Sequence, residues 1–167
     1  MKLLSVLLGA TLLFVSLPAL ADVVWPALYL ETRLFTWWAI GLGLFIEFFF
    51  VRWLFVLSAS KAALATLVAN VVSALLGVVL IPLSGIVWEF VPGLLIYPLF
   101  HMGTFNPITW AATFILACLV TTGLEALVYK YGVKFAVRRR EFGWLLIANA
   151  LSVAVAFASV FIAPVRM

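Results

Sequence analysis

The feature that most constrains this chain is a series of apolar runs, each close to the length of a membrane-spanning helix. An α-helix needs about 20 apolar residues to cross roughly 30 Å of hydrocarbon, whereas a transmembrane barrel would show alternating segments of about ten. We therefore predict an all-α integral membrane protein. Its four predicted transmembrane helices lie over residues 35–57, 62–82, 108–129 and 142–163.

Composition excludes an ordinary soluble domain. Hydrophobic residues make up 68% of the 167 positions and charged residues 10%, whereas soluble domains are about half apolar and a quarter charged. The net charge of +4 would indicate nucleic-acid binding in a soluble protein. Here the basic residues cluster beside a helix end and report membrane topology, so we predict a lipid bilayer and no nucleic acid as partner.

The N-terminal residues 1–21 have the three parts of a secretory signal peptide: Lys2, an apolar run and a small-residue site ending at Ala21. We predict cleavage after Ala21. The alternative is a retained signal anchor, and both place the next residue outside the cytoplasm. Residues 22–34 mix aromatic and charged side chains, which is typical of an extracytoplasmic interfacial segment.

Residues 83–106 are apolar enough to enter the membrane, but they contain Glu89, Pro92 and Pro98. We predict that the preceding helix ends near Pro82. If this segment crossed the bilayer, the basic residues of the 130–141 link would lie outside, against the positive-inside bias. We therefore predict an extracytoplasmic loop that re-enters the membrane or lies on its surface.

The predicted topology places the basic 130–141 link in the cytoplasm and both mature termini outside it, in a bacterial-type inner or cytoplasmic membrane. The mature chain then has two helical hairpins of the same orientation. The predicted segments are hairpin 1 over residues 35–82, the apolar loop 83–106, hairpin 2 over residues 107–163 and an extracytoplasmic tail over residues 164–167.

The two hairpins share a sequence pattern. Residues 67–73 read Leu-Val-Ala-Asn-Val-Val-Ser and residues 146–152 read Leu-Ile-Ala-Asn-Ala-Leu-Ser. A glutamate precedes the asparagine by 23 positions in the first copy and by 24 in the second. This pattern predicts an internal duplication with a pseudo-two-fold axis along the membrane normal.

Positions three or four apart share a helix face, so each repeat places its polar residues together with small ones. The stripe on the first helix is Ala39, Gly43 and Glu47, and each glutamate is expected to face the asparagine of its own hairpin. Glu125 lies at the same depth in the membrane as Glu47 only if the third helix continues past Tyr129. The predicted intramembrane polar site comprises Glu47, Asn70, Ser73, Glu125, Asn149 and Ser152.

Two interpretations of this site remain open. An ionised carboxylate in hydrocarbon costs about 2.5–3.5 kcal/mol on insertion scales, so both glutamates must be protonated, paired or hydrated. A functional interpretation makes the site a handler of protons or ions. A structural interpretation makes it interhelical packing, at about 0.6 kcal/mol per hydrogen bond.

Other chemistry has little support in the sequence. We find no phosphate-binding loop, no metal-spaced His or Cys set and no catalytic triad, so no enzyme activity, metal or cofactor is predicted. The basic run that ends the second link is a topology signal that can also contact anionic lipid headgroups. The predicted lipid contacts are Lys134, Arg138, Arg139 and Arg140.

Two functions follow as expectations. The first is a non-catalytic accessory or stabilising subunit, which binds another membrane protein or a second copy through its aromatic first span and the apolar outer loop. The alternative is a small proton- or ion-coupled transporter or channel, expected to be dimeric because four helices enclose little volume.

Overall fold

The computed structural model describes residues 26–162, with side chains described over residues 26–159. Helices account for 87% of this part of the chain, and it contains no strand. The predicted all-α class is therefore confirmed there. The predicted signal peptide, the first residues of the interfacial segment and the predicted tail lie outside the described residues.

Residues 26–162 contain six α-helices and two π-helical turns. Four stretches in this part are long and apolar enough to cross a membrane, as a multi-pass membrane protein requires: Trp37–Leu54, Ala59–Phe100, Pro107–Gly132 and Arg139–Ser159. The helices are α1 Pro26–Leu34, α2 Trp37–Leu54, α3 Ala59–Trp88, α4 Leu94–Phe100, α5 Pro107–Leu127 and α6 Arg139–Ile162, with π turns at Glu89–Gly93 and Val128–Gly132.

The four long helices form a ring. Helix α2 packs against α3 and α6, and α5 packs against the same two helices. Helix α1 lies on α3, α5 and α6. It approaches α3 closely, since a Cβ added to Gly85 would lie 2.8 Å from Ala27 Cβ.

The link between α2 and α3 and the link between α5 and α6 lie at the same end of this bundle. The rings of Phe55 and Phe135, one from each link, have centroids 4.7 Å apart. Each link also contains a left-handed residue, Val56 with φ 51° and Lys134 with φ 62°. Helix α1 therefore packs on the opposite end.

Helix α3 differs from its prediction. It passes through Pro82 and ends at Trp88, so the predicted end near Pro82 is wrong. Proline removes one backbone donor, but helices in apolar surroundings tolerate it where neighbouring groups take up the freed carbonyl. The turn of helix around Pro82 is also tied by Ser84, whose Oγ donates to the Ile81 carbonyl at 2.7 Å.

The predicted loop over residues 83–106 is helical for most of its length. A π turn at Glu89–Gly93 absorbs Pro92, and the N–H of Leu94 bonds to the Glu89 carbonyl across it. Helix α4 then continues to Phe100. A π adjustment is a known way to re-satisfy backbone groups that a proline displaces.

Helix α5 begins as the sequence predicts. Asn106 caps it, since its Oδ1 accepts from the N–H groups of Ile108 at 2.8 Å and Thr109 at 3.0 Å. Pro107 follows at the first helical position, where a missing N–H costs nothing. At the other end, helical conformation continues past Tyr129 to Gly132.

The buried faces of the long helices are made of small and polar residues, as predicted. Such faces let helix backbones approach and hydrogen-bond. They include Ala39, Gly43 and Glu47 on α2, Thr66, Ser73 and Gly77 on α3, Thr113, Ala117 and Glu125 on α5, and Asn149, Ala156 and Ser159 on α6.

Candidate functional site

Two glutamates lie inside the ring of long helices. Glu47 projects from α2 and is 2% exposed, and Glu125 projects from α5 and is 1% exposed. The two carboxyl groups are close enough to interact electrostatically. Two acidic groups therefore share one buried location although 78 positions separate them in the chain.

Each glutamate is held by the asparagine of its own hairpin. Asn70 Nδ2 donates to Glu47 Oε2 and to the Thr66 carbonyl, the latter at 3.0 Å. Asn149 Nδ2 donates to Glu125 Oε2 at 2.8 Å and to the Leu145 carbonyl at 3.2 Å. In both hairpins the amide bridges a carboxylate and the carbonyl four residues earlier, so the local geometry is repeated.

Each glutamate is also held by a serine of the other hairpin. Ser73 Oγ donates to Glu125 Oε1 at 3.4 Å, and the Ser152 side chain lies beside Glu47 in the same cavity. The Asn-x-x-Ser pattern therefore gives its asparagine to one carboxyl and its serine to the other. This exchange joins the two hairpins through their buried polar atoms.

A cavity of about 260 Å³ between α2 and α3 reaches both carboxyl groups, and all six predicted site residues line it. Its walls are mostly apolar. The exposed side chains of Ile40, Leu67 and Val71 stand along it. The cavity therefore opens sideways, between two helices, on a surface that faces lipid if these helices cross the bilayer.

Glu31 of α1 lines the same cavity, at the end that is farther from the two links. Partial burial raises the pKa of this carboxyl above its ordinary value. Three carboxyl groups thus line the cavity, and no Lys, Arg or His side chain of residues 26–159 lines it. The cavity suits a positively charged occupant better than a negative one.

A buried layer separates the site from the linked end of the bundle. Val51, Leu145 and Tyr129 are at most 1% exposed and pack together there. The Tyr129 hydroxyl lies beside Thr66 and near both glutamates. The sequence pattern places Thr66 on the same helix face as Asn70, but it does not predict Tyr129 as a neighbour of the site, because contacts between α3 and the end of α5 are not visible in a pattern within one helix.

The predicted lipid contacts are not one cluster. Arg138 and Arg139 line a surface groove with Lys130, whereas Lys134 lines a second depression beside Phe55, which Arg138 also borders. Arg140 Nε pairs with Glu141 Oε1 at 3.3 Å.

Metal and thiol chemistry find no site in the described part. No group of three His, Cys, Asp or Glu residues there could hold a metal ion. Cys118 is buried at 3% exposure.

Comparison of the chain with known protein families, curated proteins and solved structures finds no match.

Proposed function

We propose that this protein is a small membrane transporter that couples the movement of a cation to proton binding at Glu47 and Glu125. The observation that carries the proposal is that two buried, mutually interacting carboxyl groups line one cavity with access to the side of the bundle. Ionisable residues are rare inside membrane-spanning helices, and those that occur there commonly mark proton or ion pathways.

The paired arrangement explains how binding of a proton and of a cation would exclude each other. Two ionised carboxylates side by side in apolar surroundings lose hydration and repel each other. A proton or a bound cation removes that cost, so release of one favours uptake of the other. The amides of Asn70 and Asn149 hold the carboxyls in place in either state.

The cavity walls narrow the class of cation. A metal ion that gives up its water needs several free oxygen ligands. Most of the surface that this cavity exposes is apolar, and the amides of Asn70 and Asn149 already bond to the carboxyl groups. A monovalent organic cation with an apolar body can bury that body against the walls and place its charge at the carboxyls. The sideways opening would admit such a molecule from the lipid.

We further propose that the four helices arose by duplication of one hairpin. Three observations support this: the repeated Asn–Glu geometry, the exchange of serines, and the pairing of α2 with α6 and of α3 with α5. The last is what a pseudo-two-fold axis between the hairpins would produce. A homodimer would enlarge the volume that four helices enclose.

The membrane orientation is also a proposal. Both links lie at one end of the bundle, and that end carries the exposed residues Arg52 and Lys61 together with the basic 130–141 link. The positive-inside rule places this end in the cytoplasm of a bacterial-type inner membrane. The N-terminal signal peptide would then be removed on the other side.

The decisive test is flux in liposomes. Wild type is compared with the Glu47→Gln/Glu125→Gln double variant, which keeps hydrogen-bonding oxygens but removes both charges. Glu89→Gln is the matched control, because Glu89 lines no part of the cavity and Gln can still accept from the Tyr97 hydroxyl that it now binds at 2.8 Å.

Proton release driven by a gradient of a lipophilic cation is expected in wild type and in Glu89→Gln, and not in the double variant. Background flux in all three proteins would refute the transport proposal. Flux of inorganic cations alone would support a cation site at the two glutamates and would refute the proposal that the transported cation is organic.

A second candidate is a non-catalytic accessory subunit, which the surface of α2 favours. Phe45, Phe49 and Trp53 are 61%, 49% and 60% exposed along one side of this helix. Such a surface can pack against a partner helix as well as against lipid. This function predicts a co-purifying membrane protein that is lost on Phe45→Ala/Phe49→Ala and retained on Glu47→Gln.

A further inference from the structure

A groove of about 1070 Å³ runs between α3 and α5 on the outside of the bundle and reaches the start of α6. It shares no lining residue with the cavity at the glutamates. Its long walls are apolar, with Leu83 and Val87 on α3 and Leu119 and Leu127 on α5 exposed to the surroundings. The groove is therefore a separate feature that the proposed transport does not use.

One end of the groove is positively charged. Lys130, Arg138 and Arg139 line it, and no carboxylate does. The neighbouring Glu141 pairs with Arg140 and accepts from the Arg138 backbone N–H at 3.0 Å. Among the described side chains, none of the three groove cations forms a salt bridge. Three cations thus line this end of the groove, and the single neighbouring carboxylate, Glu141, does not line it.

The length of the groove matches a membrane lipid. Leu116 and Lys130 both line it, and they lie about 21 Å apart along the helix at a rise of 1.5 Å per residue. This exceeds half of the roughly 30 Å hydrocarbon core, which is the depth that one leaflet's acyl chains occupy. The cationic end lies at the linked end of the bundle, where a membrane surface would be.

We infer that this groove binds an anionic diacyl phospholipid, with its phosphate held by Lys130, Arg138 and Arg139 and an acyl chain lying along α5 past Gly123. A neutral lipid would leave the net positive charge of Lys130, Arg138 and Arg139 without a salt-bridge partner. A free phosphate would make no use of the apolar walls. The group differs from the sequence-predicted lipid contacts, because Lys134 and Arg140 lie outside the groove.

Gly123 gives the inference a test that does not alter charge. A Cβ added there meets no atom within 4 Å, so Gly123→Phe can be accommodated and would occupy the groove where the acyl chain lies. Gly41 on α2 is equally open and lines no part of the groove. Gly41→Phe is therefore the matched control.

The experiment titrates the purified full chain in detergent with phosphatidylglycerol or phosphatidylcholine and counts bound lipids by native mass spectrometry. Phosphatidylglycerol is expected to bind wild type about tenfold more tightly than phosphatidylcholine. Lys130→Gln/Arg138→Gln/Arg139→Gln should remove that preference. Gly123→Phe should weaken binding of both lipids.

The control for charge removes three other exposed cations at the same end of the bundle, in Arg52→Gln/Lys61→Gln/Lys134→Gln. It should keep the preference, as should Gly41→Phe. An equal loss in this control would reduce the effect to general surface charge and overturn the inference. Undiminished binding to Gly123→Phe, or full displacement of lipid by inorganic phosphate, would also overturn it.

Discussion

Ser152 packs directly over Gly43, and a Cβ added to the glycine would lie 2.5 Å from the serine Oγ. Because the Ser152 side chain also lies beside Glu47, this close approach of α2 and α6 sets the position of one carboxyl group. Gly43→Ala should therefore push the hydroxyl off the carboxyl. We expect a loss of about 1–3 kcal/mol in the free energy of unfolding, measured in mixed micelles, and reduced flux in liposomes.

Two variants separate this clash from the general effect of adding a methyl group. Gly41→Ala, on the same helix with nothing within 4 Å of its Cβ, should be neutral or stabilise by up to about 1 kcal/mol. Ser152→Ala removes the clashing oxygen, so it should recover part of the loss when combined with Gly43→Ala. A double variant no more stable than Gly43→Ala would contradict the proposed contact.

The second prediction compares the two asparagines. Removing either amide takes one hydrogen-bond donor from a buried carboxyl group, which costs about 1–3 kcal/mol. Asn149 is 2% exposed and Asn70 is partly exposed, so Asn149→Ala should lower the free energy of unfolding more than Asn70→Ala. Water can replace the amide more easily at Asn70.

A double-mutant cycle tests whether this loss belongs to the hydrogen bond with the carboxyl. Asn149→Ala is combined with Glu125→Ala, and the coupling energy is compared with that of Asn70→Ala and Glu47→Ala. Coupling energies of about 0.5–3 kcal/mol of the same sign are expected in both cycles. If neither cycle shows a coupling energy, the result would contradict the repeated Asn–Glu hydrogen bonds.

The helices and the polar pairs could be predicted from the sequence, because both depend on local patterns. Apolar length predicts spans, and spacings of three and four predict which face is buried. The pairs Glu47–Asn70 and Glu125–Asn149 follow from two helices of one hairpin lying side by side. Their hydrogen bonds needed only that neighbouring helices be joined by a short link.

Features that depend on contacts between hairpins could not be predicted in this way. The exchange of Ser73 and Ser152 requires the order of helices around the ring, which apolar length does not determine. The continuation of α3 through Pro82 has a different cause. Proline ends helices in water, but in apolar surroundings an unpaired backbone costs more than a strained helix.

The third prediction concerns Val56, which adopts a left-handed conformation with φ 51° in the link between α2 and α3. A β-branched residue pays about 1–2 kcal/mol for this conformation, and glycine pays none. The side chain is 89% exposed, so little packing is lost on its removal. Val56→Gly should raise the free energy of unfolding by about 0.5–1 kcal/mol.

The same substitution inside a helix gives the opposite sign and serves as the control. Val68 is exposed on α3, and Val68→Gly should destabilise by a few tenths of a kcal/mol up to about 1 kcal/mol, because glycine is the poorer helix former. Destabilisation by Val56→Gly in the same assay would show that the left-handed link is not strained in the membrane protein.

The last prediction follows from Glu31 at the end of the cavity. Its pKa is raised above the ordinary value of 4.5 by burial, so between that value and the raised one the folded protein binds more protons than the unfolded chain. Stability then falls as pH rises through this window, and the contribution is fully present only below the ordinary value. Glu31→Gln stays neutral at every pH and should reduce this fall in stability.

Thermal unfolding across this pH window in a neutral detergent measures the fall in stability. The comparison is made in the Glu47→Gln/Glu125→Gln background, so that the difference in slope reports Glu31 alone. Equal slopes with and without Glu31 would mean that its carboxyl is hydrated in the folded protein and that the cavity is open to water at this end.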